Sequence, residues 1–161
     1  MSQLKHVLLG LLFILLQIAL LDLISIKGIK PDLLVLFVVG RALSGGPTAG
    51  IVWGFSFGLL IDAVSGTQLG LGAFSYSWVG FVSGQFSSEK GTSRTRYISA
   101  LALSALLAFT VFFYFGEPWD QVGWMEPYLL HALTGAFYTC FIGLVWVHSP
   151  FAHLRVGRGR V

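Results

Sequence analysis

The sequence predicts an all-α integral membrane protein, and composition and hydropathy carry this prediction. The chain has 161 residues, of which 55% are hydrophobic and 11% are charged, and its mean hydropathy is +0.80. Soluble domains carry about 25% charged residues, so this chain lacks the charged surface that a protein in water needs. Its apolar residues fall into runs separated by short polar turns. The six predicted transmembrane helices, which form one domain over 1–161, cover residues 6–24, 31–43, 48–64, 69–86, 97–115 and 128–148.

The first two helices are predicted from an apolar run and from a proline. The run after Lys5 is rich in Leu, and no small-residue cleavage site follows it. We therefore expect a membrane helix and not a signal peptide that is removed by cleavage. Pro31 is expected to begin the second helix, where a missing N–H costs nothing, with Asp32 in the first turn. That helix has about 13 residues and is roughly 20 Å long, which is short for a hydrocarbon core of about 30 Å. We expect protein to shield one end of it, or turns to extend it.

Turns and loops separate the other helices. Ser44-Gly45-Gly46-Pro47 ends the second helix, and residues 65–68 form a tight polar turn before the fourth. A polar loop is predicted at 87–96, and a second one at 116–127 contains two Trp residues. Pro150 ends the sixth helix because proline cannot continue it.

The basic residues predict the orientation in the membrane. Six spans place both termini on one side, and eight of the ten Lys and Arg residues then lie on that side. They are Lys5, Arg41, Lys90, Arg94, Arg96, Arg155, Arg158 and Arg160. Only Lys27 and Lys30 lie on the other side. By the positive-inside rule, both termini are cytoplasmic.

A glycine-lined face is the main candidate for close helix packing. Gly50, Gly54, Gly58 and Asp62 recur every four residues and therefore share one face of the third helix. In the fourth helix, Gly80 and Gly84 are also four residues apart. Small residues at this spacing let another backbone approach closely inside a membrane. We predict that these six residues pack helices or bind a partner, and the spacing leaves open whether the neighbour belongs to this chain.

Three aspartates are the other polar candidates. Asp22, Asp32 and Asp62 lie near the predicted outer ends of the first three helices. Acids inside a membrane are costly and are functional candidates by default, although water lowers the cost at helix ends. We favour structural or partner-binding roles. A contact with a solute or ion, and catalysis or metal binding, are the alternatives.

Other chemistry-bearing residues show no pattern of a site. The four histidines lack the paired helical spacing of a metal site, and the single cysteine, Cys140, lies in an apolar run as a small core residue. The three C-terminal arginines have no interleaved aromatic residues, so contact with anionic lipid explains them better than nucleic-acid binding. We therefore expect no catalytic centre, metal, cofactor or nucleic acid, and no enzymatic activity.

Several motifs occur in an order that resembles a known family. Pro31-Asp32 is followed by the glycine series up to Asp62, then by Leu69-Gly70-Leu71-x-Ala73-Phe74-x-Tyr76 and Gly80-x-x-x-Gly84. This set resembles MreD, the bacterial rod shape-determining membrane protein. The resemblance marks Pro31, Asp32, Gly70 and Tyr76 as family motif positions. From Tyr97 onward the resemblance rests on hydropathy only.

The resemblance implies a non-catalytic scaffold in the bacterial cytoplasmic (inner) membrane. MreD-like proteins are multi-pass proteins that work with MreC, a single-span membrane protein, and with the cytoskeletal protein MreB. RodA and penicillin-binding protein 2 join them in the elongation complex, which directs side-wall peptidoglycan synthesis and rod shape. A homodimer is also compatible with this implication. The family is similar in fold to the six-helix substrate-binding (S) subunits of energy-coupling-factor vitamin transporters.

Two functional hypotheses follow. In the first, the third and fourth helices, with the residues around Asp62, form the docking surface for the membrane helix of an MreC-like partner. In the second, the chain is a solute-binding subunit of an energy-coupling-factor-type transporter. Such subunits generally carry an Ala-x-x-x-Ala pattern on the first helix, and the run Val7–Leu16 here has none.

Overall fold

The computed structural model describes residues 2–24, 31–66, 68–88, 94–116 and 133–148. All regular structure among these residues is helical, and none of them lies in a β-strand. The predicted turn at Lys27 and Lys30, most of the loop 87–96, the loop 117–127, residues 128–132 and the basic C-terminal segment lie outside them. The helices are α1 (Ser2–Ile24), α2 (Leu33–Ser65), α3 (Leu71–Gly84), α4 (Arg94–Gly116) and α5 (Thr134–His148).

α2 is a helical hairpin. Phe37 and Phe57 are 20 residues apart and would be about 30 Å apart in a straight helix, yet their ring centroids are separated by only 5.2 Å. The reversal occurs at Gly46, whose φ of 80° and ψ of −178° are not helical. Pro47 follows it as the start of the second helical arm, where a proline ring is tolerated. The arms, residues 33–45 and 47–65, correspond to the helices predicted at 31–43 and 48–64.

The predicted starts of two helices require correction. Pro31 does not begin a helix, because Asp32 is extended (φ −102°, ψ 97°) and its side chain caps the helix that starts at Leu33. Likewise, the helix predicted from Leu69 starts at Leu71, because Gly70 has a φ of 99°. Capping geometry, which hydropathy does not report, sets both boundaries.

Contacts between neighbours show that the helical segments alternate in direction. Gly10 of α1 lies against the Phe57 ring, and Gln17 reaches the beginning of α2. α3 runs antiparallel to the second arm of α2, and α4 runs back along α3, since Ser75 contacts Ala108 and Phe74 contacts Phe115. The bundle therefore has two ends. The aspartate end holds Asp32 and Asp62, and the arginine end holds Arg41, the Gly46-Pro47 reversal and the beginnings of α1 and α4.

The first arm of α2 is the centre of the core. The six consecutive residues 34–39 are all buried, and a helix that is covered on every side must be surrounded by protein. This explains why an arm of about 13 residues is sufficient. Small residues on α4 face this core, since Ala100, Ser104 and Ala108 are buried. The exposed large side chains of α1 are mostly leucines.

Among the described residues, two helices are long and apolar enough to cross a membrane: α2, whose length includes both arms of the hairpin, and the part of α4 from Thr95 to Phe112. His6–Ala19 and Thr134–Val145 are shorter apolar helices. Large hydrophobic side chains are also exposed on every described helix, with Leu15, Phe55, Phe74, Phe115 and Phe137 among them. An outer surface of this kind is compatible with an apolar surrounding.

The reversal at Gly46 gives a test of the hairpin. Alanine at this position has to adopt a backbone conformation that is almost restricted to glycine, which costs about 1–3 kcal/mol. We expect Gly46→Ala to lower the free energy of unfolding by that amount, measured by denaturant titration in detergent. Gly40→Ala is the control, because Gly40 lies in a helix with nothing within 4 Å of an added Cβ, and it should be neutral or stabilising by up to about 1 kcal/mol. Equal stability of the two variants would contradict the assigned reversal.

Candidate functional site

The glycine face of the second α2 arm contacts the backbone of α3. A Cβ added to Gly50 would meet the carbonyl oxygen of Gly80, and one added to Gly54 would meet that of Tyr76. At Gly58 the carbonyl oxygen of Gly72 would be 2.6 Å away. Real Cβ atoms are essentially never that close to backbone, so the two helices pack at a distance that only glycine permits.

Glycines on α3 complete the contact from the other side. A Cβ on Gly80 would meet the Gly50 backbone, and one on Gly84 would meet Pro47, next to the reversal of the hairpin. Gly50, Gly54, Gly58, Gly80 and Gly84 are therefore all placed in one interface between α2 and α3, and all are buried.

This geometry bears on the question that the spacing left open. Gly50, Gly54 and Gly58 were predicted to pack helices or to bind a partner. α3 of the same chain covers this face, so a separate helix has no access to these glycines. A partner that binds this pair of helices has to use their outward face.

Asp62 ends the glycine series and caps α3. Its carboxylate accepts hydrogen bonds from the backbone N–H groups of Gly70 (2.9 Å), Gly72 (3.0 Å) and Ala73 (3.2 Å). The first N–H groups of a helix have no intrahelical acceptor, and Gly70, at the N-cap, has no side chain to supply one. Asp62 is only 2% exposed. The negative carboxylate also interacts favourably with the positive end of the helix dipole.

Asp32 caps its own helix and also binds α3. One carboxylate oxygen, Oδ1, accepts from the N–H groups of Leu34 at 3.0 Å and Val35 at 3.2 Å. The other, Oδ2, accepts from the hydroxyl of Tyr76 at 2.7 Å. Both oxygens of this buried carboxylate are thus occupied, which offsets the cost of removing it from water.

Two further residues join this network, and the sequence did not identify them. The backbone N–H of Asp32 donates to Thr139 Oγ1 on α5 at 3.0 Å, and that of Leu33 donates to Gln17 Oε1 on α1 at 2.8 Å. Both are polar residues in largely apolar runs, which is a detectable signal. Their partners are not detectable from the sequence, because Thr139 is 107 residues from Asp32.

The arrangement joins helices and does not present an open ligand position. The oxygens of Asp32 and Asp62 accept from donors of this chain, as a structural role requires. Among the described residues no group of three or more His, Cys, Asp and Glu side chains could hold a metal ion. Cys140 is a half-buried free thiol that packs against the core. The side chain of Asp22 lies outside the described part of the structure.

The glycine interface predicts a large effect of one methyl group. Gly54→Ala places a Cβ against the Tyr76 carbonyl, so α2 and α3 must separate. We expect a loss of at least about 2 kcal/mol in the free energy of unfolding, because overpacking against backbone cannot be relieved by a rotamer change. The measurement is denaturant titration in detergent with Gly40→Ala as the matched control. Stability equal to that control would show that the helices do not pack through glycine.

The Asp32–Tyr76 hydrogen bond predicts a measurable coupling. In a double-mutant cycle of Asp32→Asn and Tyr76→Phe, we expect a coupling free energy of about 1–2 kcal/mol, since the acceptor is a buried carboxylate. Tyr114, which is exposed on α4, supplies the comparison: Tyr114→Phe should be additive with Asp32→Asn. Additivity in both cycles would argue against the bond.

Comparison with known proteins assigns the family. A family described as "MreD: rod shape-determining protein MreD" matches residues 2–117. This range covers α1 to α4, and with them the hairpin, the glycine interface and both capping aspartates. No curated protein and no solved structure gave a significant match. Since the matched range is well over half of the chain, the protein belongs to the MreD family of rod shape-determining, membrane-associated proteins.

Proposed function

We propose that this protein is a non-catalytic, multi-pass scaffold in the bacterial cytoplasmic membrane that binds an MreC-like single-span protein. Through that partner it acts with MreB, RodA and penicillin-binding protein 2 to direct side-wall peptidoglycan synthesis. The family match over residues 2–117 carries this proposal, because it is a family of structural, shape-determining proteins. The family match gives no support to the transporter alternative.

The proposed membrane arrangement has six crossings and cytoplasmic termini. It is supported by the alternating direction of α1, the two arms of α2, α3, α4 and α5. It is also supported by charge: Arg41 and Arg96 are at the arginine end, whereas Asp32 and Asp62 are at the other. Under the positive-inside rule the arginine end faces the cytoplasm.

The outward face of the α2–α3 pair is the proposed docking surface. A groove of about 520 Å³ runs along it between the second arm and α3, and we name it the outer groove. It is lined by Ile51, Phe55, Leu59, Gly70, Ala73, Phe74, Ser77, Trp78 and Phe81. Glycine packing produces this shape, because the small residues meet inside and the large ones project to the outside.

The outer groove fits an elongated apolar partner. From Gly70 to Phe81 it follows about 11 residues of α3, or roughly 17 Å at 1.5 Å per residue. The Trp78 ring lies edge-on to Phe74 and Phe81, with ring centroids 6.5 Å and 6.0 Å apart, so the aromatic side chains are held in place before binding. Apolar helices associate in lipid by close packing, and preordered aromatic rings supply contact area at low entropic cost. The single transmembrane helix of an MreC-like protein has this chemistry and shape.

Truncating the outer groove tests the proposal. We expect Phe74→Ala to reduce co-purification of the MreC-like partner from membranes about tenfold, in keeping with the loss of one central aromatic anchor. Phe137→Ala is the control, since Phe137 is equally aromatic and 73% exposed but lies on α5, outside the groove. Both variants should keep the wild-type unfolding temperature.

Three outcomes would contradict the proposal. Wild-type recovery of the partner with Phe74→Ala would remove the outer groove from the docking surface. An equal loss with Phe137→Ala would show that exposed aromatic residues act without regard to position. Loss of self-association instead of partner binding would identify a second copy of this chain as the occupant.

A further inference from the structure

Near the arginine end, Arg41 lies over the Trp53 ring, which in turn contacts two phenylalanine rings. Its guanidinium carbon is 5.4 Å from the centroid of the Trp53 ring. Trp53 stacks on Phe57 with ring centroids 5.6 Å apart and an interplanar angle of 9°, and Phe37 meets the same indole edge-on at 5.9 Å. The cation–π contact and the fixed indole restrict where the guanidinium can lie.

Much of the hydrogen-bonding capacity of this guanidinium is unused within the described structure. Its Nη1 donates to Ser44 Oγ at 3.5 Å, a long contact. Its Nε is buried, so the Nη groups are the ones that can meet a ligand. Arginine has five N–H donors in a planar fork. Ser44 Oγ lies 3.0 Å from the Gly40 carbonyl oxygen, to which it donates, so the residue is held beside Arg41.

No described carboxylate neutralises this charge. The acidic side chains that the structure describes are Asp32 and Asp62, which lie at the opposite end of the bundle and are occupied by their own donors. Arg96, at the beginning of α4, adds positive charge at the same end as Arg41. A partly buried cation at the edge of an apolar bundle is expected to meet an anion.

We infer that Arg41, held in place by Ser44 and Trp53, is a binding site for the phosphodiester group of an anionic phospholipid such as phosphatidylglycerol. This inference rests on the proposed membrane location, in which this end lies at the cytoplasmic leaflet. The guanidinium fork matches two phosphate oxygens, and indole rings are typical of the headgroup zone. His6 of α1 meets the Trp53 ring, and Val7 and Val52, which are next to these two residues in the chain, expose apolar side chains that can contact the acyl chains. These apolar neighbours favour a lipid over an acidic peptide.

Native mass spectrometry of the purified full chain with phosphatidylglycerol, and separately with phosphatidylcholine, tests the site. The wild type should retain phosphatidylglycerol preferentially. Arg41→Gln should lower this retention about tenfold, as expected for one lost charge-assisted contact. Arg41→Lys keeps the charge without the planar fork and should lower it about threefold. Arg96→Gln is the matched control, because it removes one exposed arginine at the same end, and it should retain the wild-type preference.

Three results would overturn the inference. The first is an equal loss with Arg41→Gln and Arg96→Gln, which would indicate general surface charge. The second is equal retention of phosphatidylglycerol and phosphatidylcholine by the wild type. The third is unchanged lipid retention in Arg41→Gln when circular dichroism shows that the variant is folded. No partner protein is present, so failure here is distinguishable from failure of the proposed MreC binding.

Discussion

Direct contact between the backbones of α2 and α3 determines most of this structure. Gly50 and Gly80 meet without any side chain between them, and Gly54 and Gly58 continue the contact towards the aspartate end. In an apolar surrounding, helices gain little from the hydrophobic effect and associate through close packing. The glycines therefore supply the association energy of this pair, and they determine which residues remain on its surface.

The polar network at the aspartate end depends on this contact. Only when α2 and α3 are close can the Asp62 carboxylate reach the N–H groups that begin α3, or Asp32 reach the Tyr76 hydroxyl. Backbone groups that water cannot reach must form hydrogen bonds within the protein. Each capping aspartate therefore accepts from N–H groups that would otherwise be unpaired, at a cost in free energy. Gln17 and Thr139 extend the same network to α1 and α5. Four helices are thus joined at one end by hydrogen bonds of two adjacent residues, Asp32 and Leu33.

Small residues inside and large residues outside give the bundle two kinds of surface. The inner faces of the helices pack against each other within the chain, so the outer groove and the Arg41 region remain for contacts with other molecules. These two surfaces differ in chemistry, because the outer groove is apolar and aromatic whereas the Arg41 region presents a guanidinium. Surfaces of these two kinds are what the proposed scaffold needs to contact a membrane helix and lipid headgroups.

The sequence by itself determined the all-helical class, the reversal at Gly46-Pro47 and the glycine series, since these depend on composition, local backbone chemistry and a four-residue spacing. It also pointed to the family, because Asp32, Asp62, Gly70 and Tyr76 occur in a fixed order. It did not predict that Asp32 caps its own helix from outside, and so placed Pro31 inside that helix.

Only the tertiary structure decided which partners these residues have. Spacing identifies a smooth helical face, but not the helix that covers it, and here α3 of the same chain covers it. The joining of Asp32 to Thr139 depends on the path of the whole chain between them. Periodicity is a property of one helix, whereas a hydrogen bond between distant residues is a property of the packed bundle, and only the fold brings such residues together.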